Sequence, residues 1–240
     1  MKTASLLMRT CAAKDKVATC RGWAGAFVRL GVGLAWLGGP VRAAVVNPGF
    51  DQGTDGLHGW AVSGTVFTTG QQAVLSDQGA VHSLLWQAMT GVAGIYRLDF
   101  DLRLVLGAGG GSGGLPDAAF VSIYAFANAT VFQPDDYASF SSVVEVANFD
   151  FRGMYGAAAV TVSASPKGAQ YQHLGYEWYH AGGAYAPVFD LTDLNYIDGD
   201  SLMAVDNVSI TAVPEPGVGW LMAGTCVWVC WRRRRVALRQ

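Results

Sequence analysis

From 95 to 106 the side chains alternate without a slip: Tyr96, Leu98, Phe100, Leu102, Leu104 and Leu106 are apolar, and Arg97, Asp99, Asp101 and Arg103 stand between them. Successive side chains point to opposite faces only in an extended chain, so a period of two sustained this long excludes a helix and demands a core on one side alone. The stretch predicts a long strand whose even positions are buried, with 80–87 folded back on it as a hairpin through the glycine-bounded turn at 91–94. Asp99 and Asp101 share its polar side about 7 Å apart, a spacing that carboxylate pairs of glycosidases use. Flanked by Arg97 and Arg103, they read instead as a charge-balanced solvent face.

The remainder agrees with an all-β domain. Trp60 opens a strand over 61–68, and 118–126 and 141–151 are rich in Val, Phe, Tyr and Ile, the residues that fit a pleated surface. Shorter strands are expected over 157–163 and 187–191, and a last one over 201–210. Nothing between 44 and 213 sustains a 3.6-residue period. Gly109-x-Gly111-x-x-Gly114 matches a dinucleotide fingerprint only formally, because Leu115-Pro116-Asp117 begins a turn where a phosphate cradle needs a helix N-terminus. The expectation there is a loop at a sheet edge.

Charge and cysteine are distributed unevenly. Between 44 and 213 sixteen acidic side chains face four basic ones, Arg97, Arg103, Arg152 and Lys167, a net charge of −12, whereas the whole chain is formally −2. Such a domain repels nucleic acid and anionic membranes and suits divalent cations and neutral glycans. All four cysteines, Cys11, Cys20, Cys226 and Cys230, lie outside it, so it has neither a disulfide nor a thiolate ligand or nucleophile.

Both ends read as delivery segments. Lys2, Arg9, Lys14, Lys16, Arg21 and Arg29 precede an apolar run at 30–37 and the small residues Ala43 and Ala44, the layout of a signal peptide over 1–43 cleaved after Ala43. At the other end, Pro214 and Pro216 break any helix entering from the domain, 217–231 has no charged side chain, and Arg232, Arg233, Arg234 and Arg235 follow. Fifteen helical residues reach about 22 Å against a hydrocarbon core of about 30 Å, so 217–231 predicts a short single transmembrane helix. Snorkelling arginines and the interfacial Trp220, Trp228 and Trp231 would help it span.

The order Pro214-Glu215-Pro216, apolar helix, arginine cluster over 213–235 resembles the PEP-CTERM sorting signal of Gram-negative bacteria. The resemblance implies a sorting motif at Pro214, Glu215 and Pro216, residence in the inner membrane before processing by exosortase, and a final place at the cell surface or in the exopolysaccharide matrix of a biofilm. A second resemblance joins the two ends of the domain. Asn47-Pro48-Gly49-Phe50-Asp51 with Gly59-Trp60, and the closing Val205-Asp206-Asn207-Val208, are similar to the first and last strands of jelly-roll carbohydrate-binding modules, including galactose-binding-like domains. It implies a jelly-roll β-sandwich over 44–212 and a structural Ca²⁺ held by Asp51 and Asp206, although Asp51 stands where those modules carry Glu.

The aromatics of 170–185 are candidates for a sugar platform, because flat rings stack on pyranose C–H groups; Tyr176, Trp178 and Tyr179 are the residues expected to touch a glycan. His173 and His180 have no acid at metal-ligand spacing in the sequence. The sequence thus describes an exported, non-catalytic surface or matrix protein that associates with exopolysaccharide. Its alternatives are a surface glycoside hydrolase and a purely structural protein that binds protein neighbours.

Overall fold

The computed structural model describes residues 44–108, 115–127, 132–155, 159–197 and 199–213. The signal peptide (1–43), the Pro214-Glu215-Pro216 motif, the apolar segment 217–231, the arginine cluster 232–235 and most of the glycine loop (109–114) lie outside the described residues. Among the described residues no helix is long and apolar enough to cross a membrane.

Among the described residues thirteen strands follow in order: β1 (Ala61–Ser63), β2 (Thr65–Thr68), β3 (Ala73–Ser76), β4 (His82–Trp86), β5 (Met89–Gly91), β6 (Gly94–Val105), β7 (Ala118–Phe126), β8 (Ser142–Asp150), β9 (Gly153–Tyr155), β10 (Thr161–Ala164), β11 (Gln172–His180), β12 (Gly183–Thr192) and β13 (Leu202–Ala212). They form two antiparallel sheets. Sheet A runs β1-β4-β12-β7-β8-β9, with β5 also on β12, and sheet B runs β10-β11-β6-β13-β3-β2. The central orders β4-β12-β7-β8 and β3-β13-β6-β11 place the late strands β12 and β13 beside the early strands β4 and β3, which is the double Greek key of a jelly roll.

The alternation in β6 does what it promised: Tyr96, Leu98, Phe100 and Leu102 enter a core shared with Leu174 and Trp178 of β11, Tyr185, Phe189 and Leu191 of β12, and Val205, Val208 and Ile210 of β13. Full burial of such side chains is worth about 1.5–3 kcal/mol each.

Two local expectations are corrected. The segment 61–68 is not one strand: at Gly64 (φ +72°) the chain leaves sheet A for sheet B, and a Cβ there would run into the backbone of His82 and Ser83. Nor do 80–87 and 95–106 form a hairpin. β4 pairs with β1 and β12, while β6 pairs with β11 and β13 in the opposite sheet. The 91–94 turn carries the chain across the sandwich, because both strands bury an apolar face and only a crossing lets the two faces meet.

Candidate functional site

The outer face of sheet A is not bare. On β4 the outward positions are His82, Leu84 and Trp86, on β12 Ala184, Ala186, Val188, Asp190 and Thr192, and on β7 Phe120, Ser122, Tyr124 and Phe126, aligned by the register of the three strands. Small residues on β12 therefore run between larger side chains on its neighbours. Segment 132–140 folds over this row: Phe132 stacks on Phe126 at 4.4 Å, Phe140 meets Tyr124 edge-on at 4.7 Å, and Tyr137 approaches Phe140 at 5.9 Å. Leu84, Phe126, Phe132, Ala184, Ala186 and Val188 become a second core, with Trp86, Tyr124 and Phe140 half-buried at its rim. Tyr137 stays 86 % exposed.

Polar groups border these rings. Asp190 lies 3.6 Å from His82 Nδ1 and accepts a hydrogen bond from Thr192 Oγ1 at 3.1 Å. Burial is the main cause that pushes the Asp190 carboxyl above its ordinary value, and His82 pulls against it. Burial first, then Asp190, Tyr137 and Asp135, raise the Tyr124 hydroxyl. Aromatic surface beside hydrogen-bonding groups is the chemistry that holds a sugar ring, through C–H stacking and hydroxyl contacts.

The residues proposed from the sequence are arranged differently. Trp178 is 7 % exposed and packs on Tyr96 and Tyr185 inside the sandwich, with Tyr176 half-buried on the same inward row. Tyr179 points the other way and is 70 % exposed. Strand periodicity forbids these three from forming one platform: positions 176 and 178 share a face and 179 takes the other.

The outer face of sheet B carries charge instead. Arg97 Nε donates to Asp99 at 2.9 Å and its Nη1 reaches Glu177 at 3.4 Å. Asp101, however, is buried rather than solvent-facing. His173 does have partner acids, drawn from the neighbouring strand: Nδ1 lies 2.9 Å from Asp101 and Nε2 3.6 Å from Asp99. Asn207 Nδ2 donates to the other Asp101 oxygen at 2.7 Å.

The two residues proposed as calcium ligands differ in their surroundings. Asp206 is buried, and its carboxylate is ion-paired with Lys167, while Asp51 is exposed. The opening motif folds on itself and also meets the closing strand: Asn47 accepts from the Asp51 and Gln52 amides at 2.9 and 3.1 Å, Phe50 packs on Trp60 at 5.1 Å, and the Pro48 carbonyl accepts from the Val208 amide at 3.1 Å.

Another acidic group was hidden in the sequence. Asp77, Asp117 and Asp200 bring one carboxylate oxygen each within 4.8 Å of the others and could hold a metal ion. Each also ties down loops. Asp77 accepts from the amides of Gly199 and Ser201, both at 3.0 Å, and Asp117 from those of Leu194 and Asn195 at 2.9 and 3.1 Å. Asn195 Nδ2 bridges Asp117 and Asp200, at 3.1 Å to each. Burial, then the neighbouring Asp117 carboxyl, pushes Asp200 up to about 6. The available signal was positional: Asp77 directly follows β3, Asp117 directly precedes β7, and Asp200 lies just before β13.

Fold and faces together define a β-sandwich of jelly-roll type with one aromatic outer face. No protein-family model matches the chain, and no curated protein matches it. Among solved structures, it is similar to TmCBM61 in complex with β-1,4-galactotriose, with 16% identity, a TM-score of 0.38, and 72% of this chain aligned to 99% of that one. It is also similar to the C-terminal family 22 carbohydrate-binding module of Clostridium thermocellum Xyn10B, with 10% identity, a TM-score of 0.36, and 74% and 99% of the two chains aligned. The enzymatically active domain of tailspike protein 4 from bacteriophage CBA120 aligns at 14% identity and a TM-score of 0.40, over 72% of this chain but 22% of its own length. Likenesses this distant carry no argument about activity. The jelly-roll assignment rests on the strand order.

Proposed function

We propose that the protein is an exported, non-catalytic glycan-binding module, held at the cell surface or in an exopolysaccharide matrix after its tail has been processed by exosortase. The observation that carries the binding reading is the aromatic outer face of sheet A, where exposed Tyr137 and half-buried Trp86, Tyr124 and Phe140 stand beside Asp190, His82 and Thr192. The acidity of the domain directs it to neutral rather than anionic polysaccharide. The purified chain is expected to bind a neutral glycan saturably on an immobilised panel, and Tyr137→Ala to weaken that binding; a chain that retains nothing on the panel is a structural surface protein.

The sorting reading rests on 213–235. Replacing Pro214-Glu215-Pro216 by alanines is expected to leave an unprocessed chain in the inner membrane, and normal maturation of that variant would sink the exosortase assignment. The structural Ca²⁺ belongs at Asp77, Asp117 and Asp200, whose oxygens suit a hard cation. A chelator should then lower the melting temperature, and Asp117→Asn should abolish that response.

A second reading, a glycoside hydrolase acting at the same face, draws on Asp190, whose raised carboxyl could donate a proton to a leaving group. Release of reducing ends from the bound glycan, lost in Asp190→Asn, would establish it.

A further inference from the structure

Lys167 is the one lysine between 44 and 213, and its ammonium is committed. It pairs with Asp206, donates to the Gln71 carbonyl at 3.3 Å and lies 5.7 Å from the centre of the Tyr171 ring. Its side chain is only 25 % exposed. The backbone beneath it is fixed: the Lys167 amide donates to Ser165 Oγ at 3.0 Å, and the Tyr171 amide donates to the Gly168 carbonyl at 3.0 Å. Tyr171 Oη donates to Gln72 Oε1. The loop between β10 and β11, at one edge of sheet B, thus reaches the turn between β2 and β3 at its other edge.

Under that span lies the irregularity of β13. Its pairing with β6 shifts register between Asp206 and Ser209, and Asn207 takes a left-handed φ of +50°. Asp206 stands opposite Asp101, so two buried carboxylates face each other across neighbouring strands. Buried carboxyls need hydrogen-bonding or ionic partners. His173 and Asn207 serve Asp101; Lys167 serves Asp206.

We propose that Lys167 is the resident cation of this end of the sandwich, a covalently tethered ammonium holding the place that a divalent ion would otherwise take, so that Asp51 and Asp206 hold no calcium. The ammonium offers one charge already attached to the chain. Lys167 closes the β13 bulge and at the same time cross-braces the two edges of sheet B through Gln71.

The test uses the full chain in an Asp200→Asn background, which disables the three-aspartate group and keeps the two readings separate. By equilibrium dialysis the parent is expected to bind no Ca²⁺. Lys167→Ala is expected to gain one ion, to melt at a lower temperature than the parent in chelator, and to recover when Ca²⁺ is added; a further Asp206→Asn should abolish both gain and recovery. Lys167→Met, which keeps the aliphatic stem, supplies the same reading if the alanine variant does not fold. A parent that binds Ca²⁺ in a manner lost with Asp206→Asn, or a Lys167 variant that gains no ion or melts with the parent, overturns the proposal. Failure of chelator to move the wild-type melting temperature would refute the three-aspartate site and leave Lys167 untouched.

Discussion

The two outer faces of the sandwich solve the same problem with opposite materials. On sheet A the outward row of β12 is Ala184, Ala186 and Val188, and a loop bearing Phe132, Tyr137 and Phe140 is laid over it. On sheet B the outward row of β6 is Arg97, Asp99 and Asp101, and neighbouring strands answer with His173, Glu177 and Asn207. Small apolar residues in mid-sheet invite a second layer of packing, whereas charges invite partners from the adjoining strands. An aromatic layer leaves ring surface at its rim for a ligand; a lattice of paired charges uses its hydrogen-bonding capacity on itself.

That contrast is sharpest where the layer is thickest. Phe132→Ala should destabilise the domain by about 3 kcal/mol, because it removes a buried ring stacked on Phe126, as urea unfolding would show. A cost under about 1 kcal/mol would mean that the loop merely rests on the sheet. Next in size, Tyr137→Ala should weaken glycan binding about tenfold, or about 1.4 kcal/mol, while Tyr179→Ala on the opposite face leaves titration curves unchanged. Equal losses from both would erase the distinction between the faces.

Asp190→Asn has a smaller effect with a definite sign. Burial raises the folded-state pKa above the ordinary 3.8, so the carboxyl's contribution is complete below that value and is lost as pH rises through the folded pKa. An amide escapes this loss: the variant should be the more stable near neutrality, and its advantage should shrink as pH falls towards about 4 in thermal melts. Smallest of all, Glu177→Ala should change stability by no more than about 0.5 kcal/mol, because its pairing with Arg97 at 3.4 Å is solvent-exposed. A larger loss would show the charged face to be a cooperative network.

Residues 95–106 announced β6 because the signal is local: each side chain declares its face by its own polarity. The all-β reading and the closing strand were legible for the same reason. The burial of Asp101 was not, since its partners His173 and Asn207 lie 72 and 106 residues away, and only register brings them together. Trp178 misled through composition. A glycine-rich aromatic stretch fits a platform or a core equally well until strand parity assigns each ring a side. The aromatic face had a legible hint, because β7 reads Ala-Ala-Phe-Val-Ser-Ile-Tyr-Ala-Phe, apolar on both faces, and such a strand needs cover on both.

The position of β13 bears on when the domain can fold. Ala73 pairs with Val205, and β6 flanks the same strand on its other side, so the middle of sheet B is supplied by the last part of the domain to be made. Contacts of this sequence separation carry a loop-closure cost that must be met before any pairing rewards it, which places such topologies among the slow folders, in the millisecond-to-second range. A nascent chain that has not reached Val205 has β3 and β6 with a gap between them and nothing to fill it. Its β2-β3 and β10-β11-β6 pairings can be joined into one sheet only when that strand arrives.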